Sequence, residues 1–254
     1  MRDKSTTLFY ILGAFFIANA ILAEFIGVKI FSLEGWLGLN SLNLSFFGEE
    51  NLSFNLTAGV LLWPVIFIMT DIINEYFGRR GVRFLSFTAA GLITYAFLMV
   101  YFAIGLTPAD FWIERTTSSG TLNMDQAFNA IFGQGLWIIF GSLVAFLVGQ
   151  LVDVRVFHYL RRFTGSSKIW LRATGSTVVS QFIDSFVVLL IAFYWGAGWD
   201  LSLVLAIGLV NYIYKFLIAV FLTPLLYVLH FFIDRYLGKE LSEKLQEEAA
   251  KSSA

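Results

Sequence analysis

The sequence predicts an all-α integral membrane protein, a bundle of six transmembrane helices with both termini on the cytoplasmic side. Hydrophobic residues make up 58% of the chain and charged residues only 14%, whereas soluble domains are about 45–50% apolar. Apolar runs long enough to cross a bilayer, which takes about 20 helical residues, recur along the whole sequence. The basic residues between these runs fall almost entirely on one side of the predicted membrane.

Six apolar runs are predicted to be the membrane spans. They are Leu8–Phe31, Leu56–Phe77, Phe84–Leu106, Leu136–Tyr159, Arg172–Trp195 and Leu201–Phe232. Gly78 is expected to end the second span, and Pro224 is expected to kink the sixth because proline cannot donate a helical hydrogen bond. Residues 1–237 therefore form a single transmembrane domain, and the Glu- and Lys-rich segment 238–254 is expected to be a soluble, charged tail with a frayed helix.

Two connections carry recognisable local patterns. In the segment Ser32–Asn55, apolar and polar residues alternate around Gly48–Asn51, which predicts a short exposed β-hairpin with its turn there. The connection before the fourth span contains Asn123 followed three residues later by Gln126. That spacing is typical of the N-cap of a helix, which is expected to run through Phe132.

The orientation follows from the distribution of lysine and arginine. Of the 17 basic residues, 14 lie in the N-terminus, in or beside the loops after the second and fourth spans, and in the C-terminal region. Only Arg115 lies in a loop of the opposite side, and Lys29 and Lys215 lie within spans. Because the basic side of a membrane protein is the cytoplasmic one, both termini are predicted to be cytoplasmic.

The fifth span carries the most informative polar residues. Thr177, Gln181 and Asp184 recur at helical spacing and share one face of the helix. Asp184 lies roughly 12 residues from either end of the span, near the middle of the bilayer. An ionised carboxylate at that depth costs about 2.5–3.5 kcal/mol on insertion scales. We interpret Asp184 as facing a ligand or a water-filled pathway, and a polar clamp between helices is the alternative.

Two further ionisable residues are deeply placed, Glu24 in the first span and Lys215 in the sixth. Residues of this kind normally face the interior of the bundle, where they pair or line a pathway. Lys215 is expected to compensate either Asp184 or Glu24. The carboxylate that remains then needs another partner or a proton.

Amide and aromatic side chains beside these charges indicate the kind of ligand. The amides offer both donors and an acceptor, and the aromatic rings offer flat apolar faces. A pocket with apolar walls and a few polar contacts suits a planar polar heterocycle. The predicted substrate-binding residues are Asn19, Glu24, Trp63, Gln181, Asp184, Asn211 and Lys215, and Tyr212 is expected as a second flat face.

A second polar group is expected near the cytoplasmic surface. Asp71 and Glu75 are one helical turn apart near the inner end of the second span. Together with Arg79 and Arg172 they are expected to form a network that gates or couples movement through the pathway. Because Glu75 and Arg79 also have the spacing of a helical ion pair, plain pairing at the helix end is the alternative.

Several classes of function are not expected from this sequence. It has no cysteine, and its two histidines are far apart, so neither a metal site nor a cofactor is expected. It contains no G-x-S-x-G, H-E-x-x-H or Walker A motif, so it is not expected to be an enzyme or an ATPase. The basic segment Arg161–Arg172 follows the positive-inside rule, so direct binding of nucleic acid is not expected. Three deep charges disfavour a structural protein without a solute.

Three ordered motifs resemble the signatures of one known family. They are Ala58-Gly59…Pro64…Thr70-Asp71…Glu75-Tyr76-Phe77-Gly78, then Trp170-Leu171-Arg172…Ser176-Thr177…Ser180-Gln181…Asp184-Ser185-Phe186, then Tyr214-Lys215…Thr223-Pro224…Tyr227. Together they are similar to those of the queuosine precursor transporter family, also called the putative vitamin uptake transporter family. The resemblance covers 15–235 and departs from the family pattern at Ala173, where members usually carry asparagine.

The resemblance implies a bacterial inner-membrane importer of 7-deazaguanine bases such as preQ0 and preQ1, which are salvaged for tRNA modification. It leaves open a homo-oligomer or an energising partner. For such a base, Asp184 is expected to accept the N1–H and 2-amino donors, with Gln181 at the 6-oxo group. The alternative is a substrate-binding subunit that needs a separate energising complex, for which Ala14 and Ala18 offer a small-residue contact.

Overall fold

The structure is a computed structural model that describes residues 3–118, 120–133, 135–164 and 169–251. Its helices are α1 (Lys4–Ile26), α2 (Leu33–Trp36), α3 (Trp63–Ile104), α4 (Asp110–Ile113), α5 (Met124–Phe132), α6 (Leu136–Thr164), α7 (Ile169–Leu189), α8 (Leu201–Phe221), α9 (Thr223–Leu237) and α10 (Lys239–Lys251). Its strands are β1 (Ile30–Ser32), β2 (Leu44–Phe46), β3 (Glu49–Leu52), β4 (Asn55–Thr57), β5 (Glu114–Thr117) and β6 (Gly120–Asn123). A short 3₁₀ turn, Ala58–Leu61, precedes α3.

Five helical segments of the described chain are long and apolar enough to cross a membrane. They are Lys4–Ile26, Trp63–Ile104, Met124–Thr164, Trp170–Trp195 and Leu201–Phe221. The chain is therefore a multi-pass helical membrane protein. Large apolar side chains also cover the lipid-facing surface, as on the second half of α3, where Phe84 is 62% exposed.

The 42-residue helix α3 is bent back on itself at Gly78, as the sequence predicts. Gly78 has φ 65° and ψ −170°, a backbone conformation that interrupts the helix. Before Gly78 the chain runs antiparallel to α1. A Cβ built on Gly59 would lie 2.7 Å from the carbonyl oxygen of Ala23, near the end of α1, and the Phe77 ring lies 5.0 Å from that of Phe9, near its start. After Gly78 it runs parallel to α1. There Leu85 lies over Gly13, and Phe97 stacks on Phe25 at 5.5 Å. The two halves of α3 are thus antiparallel.

The first two spans are shorter than predicted because a strand pair lies between them. β1 and β4 pair antiparallel, with Ile30 opposite Thr57 and Ser32 opposite Asn55. The first helix therefore ends at Ile26 and not at Phe31. The next long helix begins at Trp63 and not at Leu56, with Pro64 in the first turn, where its missing N–H costs nothing.

The predicted hairpin in the segment between these helices is confirmed, but its turn lies earlier than expected. β2 and β3 pair with Phe46 opposite Glu49, so the turn residues are Phe47 and Gly48. Both have positive φ, 54° and 85°, as a two-residue hairpin turn of type I′ requires. A second hairpin, β5–β6, was not predicted.

The helix cap predicted at Asn123 is confirmed, because its side chain accepts a hydrogen bond from the Gln126 N–H at 3.0 Å. The expected kink of the last span is also present. α8 ends at Phe221 and α9 begins at Thr223, with Pro224 in its first turn. A π-helical stretch, Leu190–Trp195, that was not expected continues α7.

The C-terminal segment is a docked helix over its described part, not a frayed one. The Ser242 hydroxyl of α10 donates to Asp234 of α9 at 2.5 Å, and Leu241 and Leu245 pack against the main hydrophobic core. We call the end of the bundle that carries α9 and α10 the tail end. The opposite end, where β1–β4 lie, is the strand end, and a small apolar cluster around Phe54 packs there.

Candidate functional site

The half of the bundle at the strand end contains a cavity of about 190 Å³, which we call the larger cavity because it exceeds the cavity that adjoins it on the tail side. Its walls come from the end of α1, β4, the start of α3, and the facing parts of α6, α7 and α8. Its lining residues are Ala23, Glu24, Gly27, Asn55, Thr57, Val60, Trp63, Ile138, Ser142, Ala145, Asp184, Val188, Leu189, Phe193, Asn211 and Lys215. Pockets for drug-sized ligands measure about 300–1,000 Å³, so this cavity suits a smaller molecule.

An ion pair lies on one wall of the larger cavity. The Lys215 ammonium of α8 donates to Oδ2 of Asp184 on α7 at 2.5 Å, and each side chain is 14% exposed. The expected compensation of a deep carboxylate by Lys215 is confirmed, and the structure selects Asp184 as its partner. Removing either member would leave the other charge beside the cavity without its partner.

A second carboxylate, that of Glu24 on the last turns of α1, borders the same cavity. Its Oε1 accepts a hydrogen bond from the Ser142 hydroxyl of α6 at 2.5 Å. Glu24 is 8% exposed, so this charge is also held away from bulk solvent. The larger cavity therefore brings two carboxylates and one ammonium together, with the hydroxyl of Ser142 as a contact that the sequence did not reveal.

The remaining walls combine amide groups with one large ring. Asn211 lies one helical turn before Lys215 on α8, and Asn55 adds a second amide from β4. The Trp63 ring packs on Phe146 with ring centroids 5.8 Å apart. Donors, acceptors and a flat apolar face thus surround one small space, as recognition of a planar polar ligand requires.

Trp63, Val60 and Lys215 also border a second, smaller cavity of about 40 Å³ on the tail side of the larger one. Its polar lining includes Asp71, Thr174, Thr177, Gln181 and Thr223. A space of this size holds water, but it is too small for a second heterocycle.

The structure therefore brings five of the seven predicted substrate-binding residues to the larger cavity: Glu24, Trp63, Asp184, Asn211 and Lys215. Gln181 lines the smaller cavity instead, one turn toward the tail end. Asn19 lines neither, because its amide donates to the backbone oxygen of Phe15 at 2.8 Å. Tyr212 packs edge-on against Phe182, and Tyr214 is the tyrosine that reaches the smaller cavity.

At the tail end, one carboxylate is held by two guanidinium groups. Arg172 donates to Glu75 through Nε at 3.2 Å and through Nη2 at 2.7 Å, a bidentate contact between side chains that are each 1% exposed. Arg161 approaches the same carboxylate at 3.5 Å and also donates to the backbone oxygen of Gln246 on α10 at 2.8 Å. We call Glu75, Arg172 and Arg161 the Glu75 clamp.

The clamp differs from the predicted four-residue network. Glu75 and Arg79 do not pair, because Gly78 breaks the helix between them and places them on antiparallel segments. Arg161 takes the expected place of Arg79. Asp71 lies one turn from Glu75 and outside the clamp, where it accepts a long hydrogen bond from Thr177 at 3.5 Å.

A neighbouring hydrogen-bond network ties α3 to the tail. The Tyr76 hydroxyl lies 2.7 Å from Asp234 and 2.9 Å from Nδ1 of His230, both on α9. Ser242 of α10 donates to the same Asp234 carboxylate. This network was not predicted, because Tyr76 is far from His230, Asp234 and Ser242 in the sequence and meets them only through helix packing.

Comparison with known proteins identifies similar transporters. A family model described as "Putative vitamin uptake transporter" matches residues 57–229. A Bacillus subtilis protein named "Probable queuosine precursor transporter" is 31% identical over 89% of this chain and 94% of its own. An Escherichia coli "Queuosine precursor transporter" is 29% identical over 80% of this chain and 83% of its own. A Haemophilus influenzae "Probable queuosine precursor transporter" is also 29% identical, over 72% of each chain. No solved structure matches the chain significantly.

Proposed function

This chain belongs to the putative vitamin uptake transporter family, and we propose that it imports 7-deazaguanine bases such as preQ0 and preQ1 for salvage into tRNA modification. The names of the similar proteins from Bacillus subtilis and Escherichia coli support a queuosine precursor as the cargo. The observation that carries the proposal is the larger cavity, a small space bordered by Glu24, Asp184, Lys215, Asn211 and the Trp63 ring.

The chemistry of a guanine-type base fits these groups. Its N1–H and 2-amino group are adjacent donors, and one carboxylate accepts both as parallel charge-assisted bonds. Because the charge of Asp184 is neutralised by Lys215, we propose Glu24 as the carboxylate that binds this edge. Lys215, oriented by Asp184, donates to the 6-oxo group, and Trp63 stacks on the ring. This changes the role expected for Asp184, and it leaves Gln181 outside the ligand contact.

The proposed topology has six spans, with the two halves of α3 counted separately and both termini in the cytoplasm of a bacterial inner membrane. The antiparallel course of the α3 halves supports the count, and the positive-inside rule supports the orientation. The larger cavity then lies in the outer half of the bundle and the Glu75 clamp in the inner half. Import requires the clamp to open after the substrate has bound.

Uptake of radiolabelled preQ1 by proteoliposomes containing only the purified protein tests the proposed function. We expect accumulation that unlabelled preQ0 competes away, while uracil does not. Saturable binding without uptake would overturn the importer and favour the substrate-binding subunit, for which the exposed Ala14 and Ala18 of α1 offer a contact surface. Absence of both binding and uptake would reject the substrate class.

Cysteine labelling tests the topology. Single cysteines at Glu49 and Arg115 should react with an impermeant maleimide added to intact cells, and a cysteine at Lys244 should react only after permeabilisation. Protection of either outer position in intact cells would contradict the proposed orientation.

A further inference from the structure

Two buried carboxylates lie on the tail side of the larger cavity without a basic partner. Asp71 of α3 is 5% exposed and Asp153 of α6 is fully buried. Both approach the same part of α7, since Asp71 accepts a hydrogen bond from Thr177 and Asp153 accepts one from Ser180, three residues further along. Within the described part of the chain, neither forms an ion pair with a lysine or arginine. We call Asp71 and Asp153 the buried acid pair.

Each of these carboxylates has one oxygen without a hydrogen-bond partner. These are Oδ1 of Asp71 and Oδ2 of Asp153. The other oxygens accept bonds from α7, where Thr177 donates to Asp71 at 3.5 Å and Ser180 donates to Asp153 at 3.1 Å. Neutral hydroxyl donors of this kind do not compensate a buried negative charge.

Three amide side chains in the same layer are also incompletely bonded. Asn74 has neither side-chain atom paired, and Gln150 and Gln181 each have an unpaired Nε2. All three are at most 3% exposed. Asp71 and Gln181 line the smaller cavity together. A buried polar group without a partner lowers stability, so this layer is suited to a ligand that can bond to these groups.

The groups that face the pair compensate its charge only in part. Arg172 lies near Asp71 but is bound to Glu75 at 2.7 Å. Ser176 and Ser180 face Asp153 and carry no charge. Two carboxylates that share a low-dielectric site cannot both remain charged. The pair therefore suits the binding of a cation.

We propose that the buried acid pair is the coupling-ion site of the transporter and that the ion is a proton bound between Asp71 and Asp153. The proton forms a carboxyl O–H on uptake from the outer side and leaves as the O–H bond breaks toward the cytoplasm. Three of the unpaired atoms in this layer are amide nitrogens, and their N–H groups would repel a metal ion. The N–H groups can instead donate to the carboxylate oxygens that carry no proton.

The pair lies where coupling to the substrate is direct. Asp71 and Lys215 both border the smaller cavity, and Lys215 also borders the larger one. Gln181 lies three residues from Asp184 on the same helix. Movement of Lys215 on substrate binding therefore changes the electrostatic field at the buried acid pair. Protonation of the pair in turn changes the field at the substrate site. This inference rests on the proposed import of deazaguanine bases.

Lumenal acidification measures the coupling. Purified protein is reconstituted with a trapped pH-sensitive dye, preQ1 is added outside in sodium-free buffer, and the initial rate of acidification is recorded. The wild type should acidify the lumen. Asp153→Asn and Asp71→Asn should lower that rate by about 5–150-fold, the range of a typical coupling between two sites. Acidification at the wild-type rate in Asp153→Asn would overturn the proposal, and so would a requirement for sodium.

Counterflow distinguishes lost coupling from misfolding. Exchange of internal preQ1 for external labelled preQ1 needs no net proton movement, so both variants should retain it to within about fivefold, below the lower limit of the coupling effect. The matched control is Glu34→Gln, a buried acid at the strand end that accepts from the Phe54 N–H at 2.9 Å, and it should acidify like the wild type. Loss of counterflow in both aspartate variants would contradict a pure coupling role.

The two proposals fail in different ways. Absence of counterflow in the wild type would reject the proposed substrate and function. Counterflow in the wild type without acidification would leave the function intact and reject the proton site.

Discussion

The half of the bundle at the strand end (the strand half) and the half at the tail end (the tail half) differ in the surroundings of their buried charges. In the strand half, Glu24 and the Lys215–Asp184 pair border a cavity of about 190 Å³. In the tail half, Glu75 is bound directly by Arg172 and Arg161, and α10 packs beside them. The Lys215–Asp184 pair also joins two helices, but the cavity gives a ligand access to it, whereas the side chains of Arg172 and Glu75 are enclosed by protein. The comparison supports our proposal that one half binds the substrate and the other closes the pathway.

Breaking the Glu75 clamp in the tail half should have the largest effect on stability. Arg172→Gln removes both hydrogen bonds to Glu75 and leaves that carboxylate buried, at a cost of about 3–5 kcal/mol. Unfolding by denaturant in detergent measures the loss. The control is Lys239→Gln on α10, whose ion pair with Glu243 is exposed and contributes about 0.5 kcal/mol or less. Equal losses for the two variants would contradict a clamp.

Breaking the Lys215–Asp184 ion pair in the strand half should lower the free energy of unfolding by less, because water in the cavity can solvate the remaining charge. Lys215→Met should lower stability by about 1–3 kcal/mol, and Lys215→Met with Asp184→Asn should recover part of that loss. The same unfolding assay measures both variants. Strictly additive losses would show that the two side chains act independently.

The turn at Gly78 should depend on glycine. Gly78 has φ 65° and ψ −170°, a backbone region that is essentially restricted to glycine, so Gly78→Ala should destabilise the protein by about 1–3 kcal/mol. Gly91 lies in the second half of α3 with open space where a Cβ would be. Gly91→Ala should be neutral or stabilising by up to about 1 kcal/mol. A similar effect of both substitutions would mean that the chain does not depend on the Gly78 turn.

The sequence predicted the helices well because apolar length and glycine or proline at their ends act locally. Gly78, Asn123 and Pro224 each do what local chemistry requires. Errors came where distant segments pair. β1 shortens the first span only because β4 lies beside it, and no local pattern in Ile30–Ser32 indicates that pairing.

The site was predicted less completely for the same reason. A deep charge such as Asp184 or Lys215 is visible from its position in an apolar span, so compensation of Lys215 by Asp184 or Glu24 was expected, and only the structure selects Asp184. Arg161 and Ser142 are unremarkable in sequence, and their contacts with Glu75 and Glu24 arise only from helix packing. The failed Glu75–Arg79 pair illustrates the limit of spacing rules, because Gly78 reverses the chain between them.

Ligand binding to Glu24→Gln and Asp184→Asn tests the central claim. The claim is that Glu24, in the larger cavity, accepts hydrogen bonds from the N1–H and 2-amino group of a deazaguanine base. The two ligands are preQ1 and its analogue lacking the 2-amino group, and calorimetry on the purified protein gives each Kd. Glu24→Gln should weaken preQ1 binding by about tenfold or more and the analogue much less. Asp184→Asn should weaken both ligands equally because it acts through Lys215. Equal losses of the two ligands in Glu24→Gln would contradict the account.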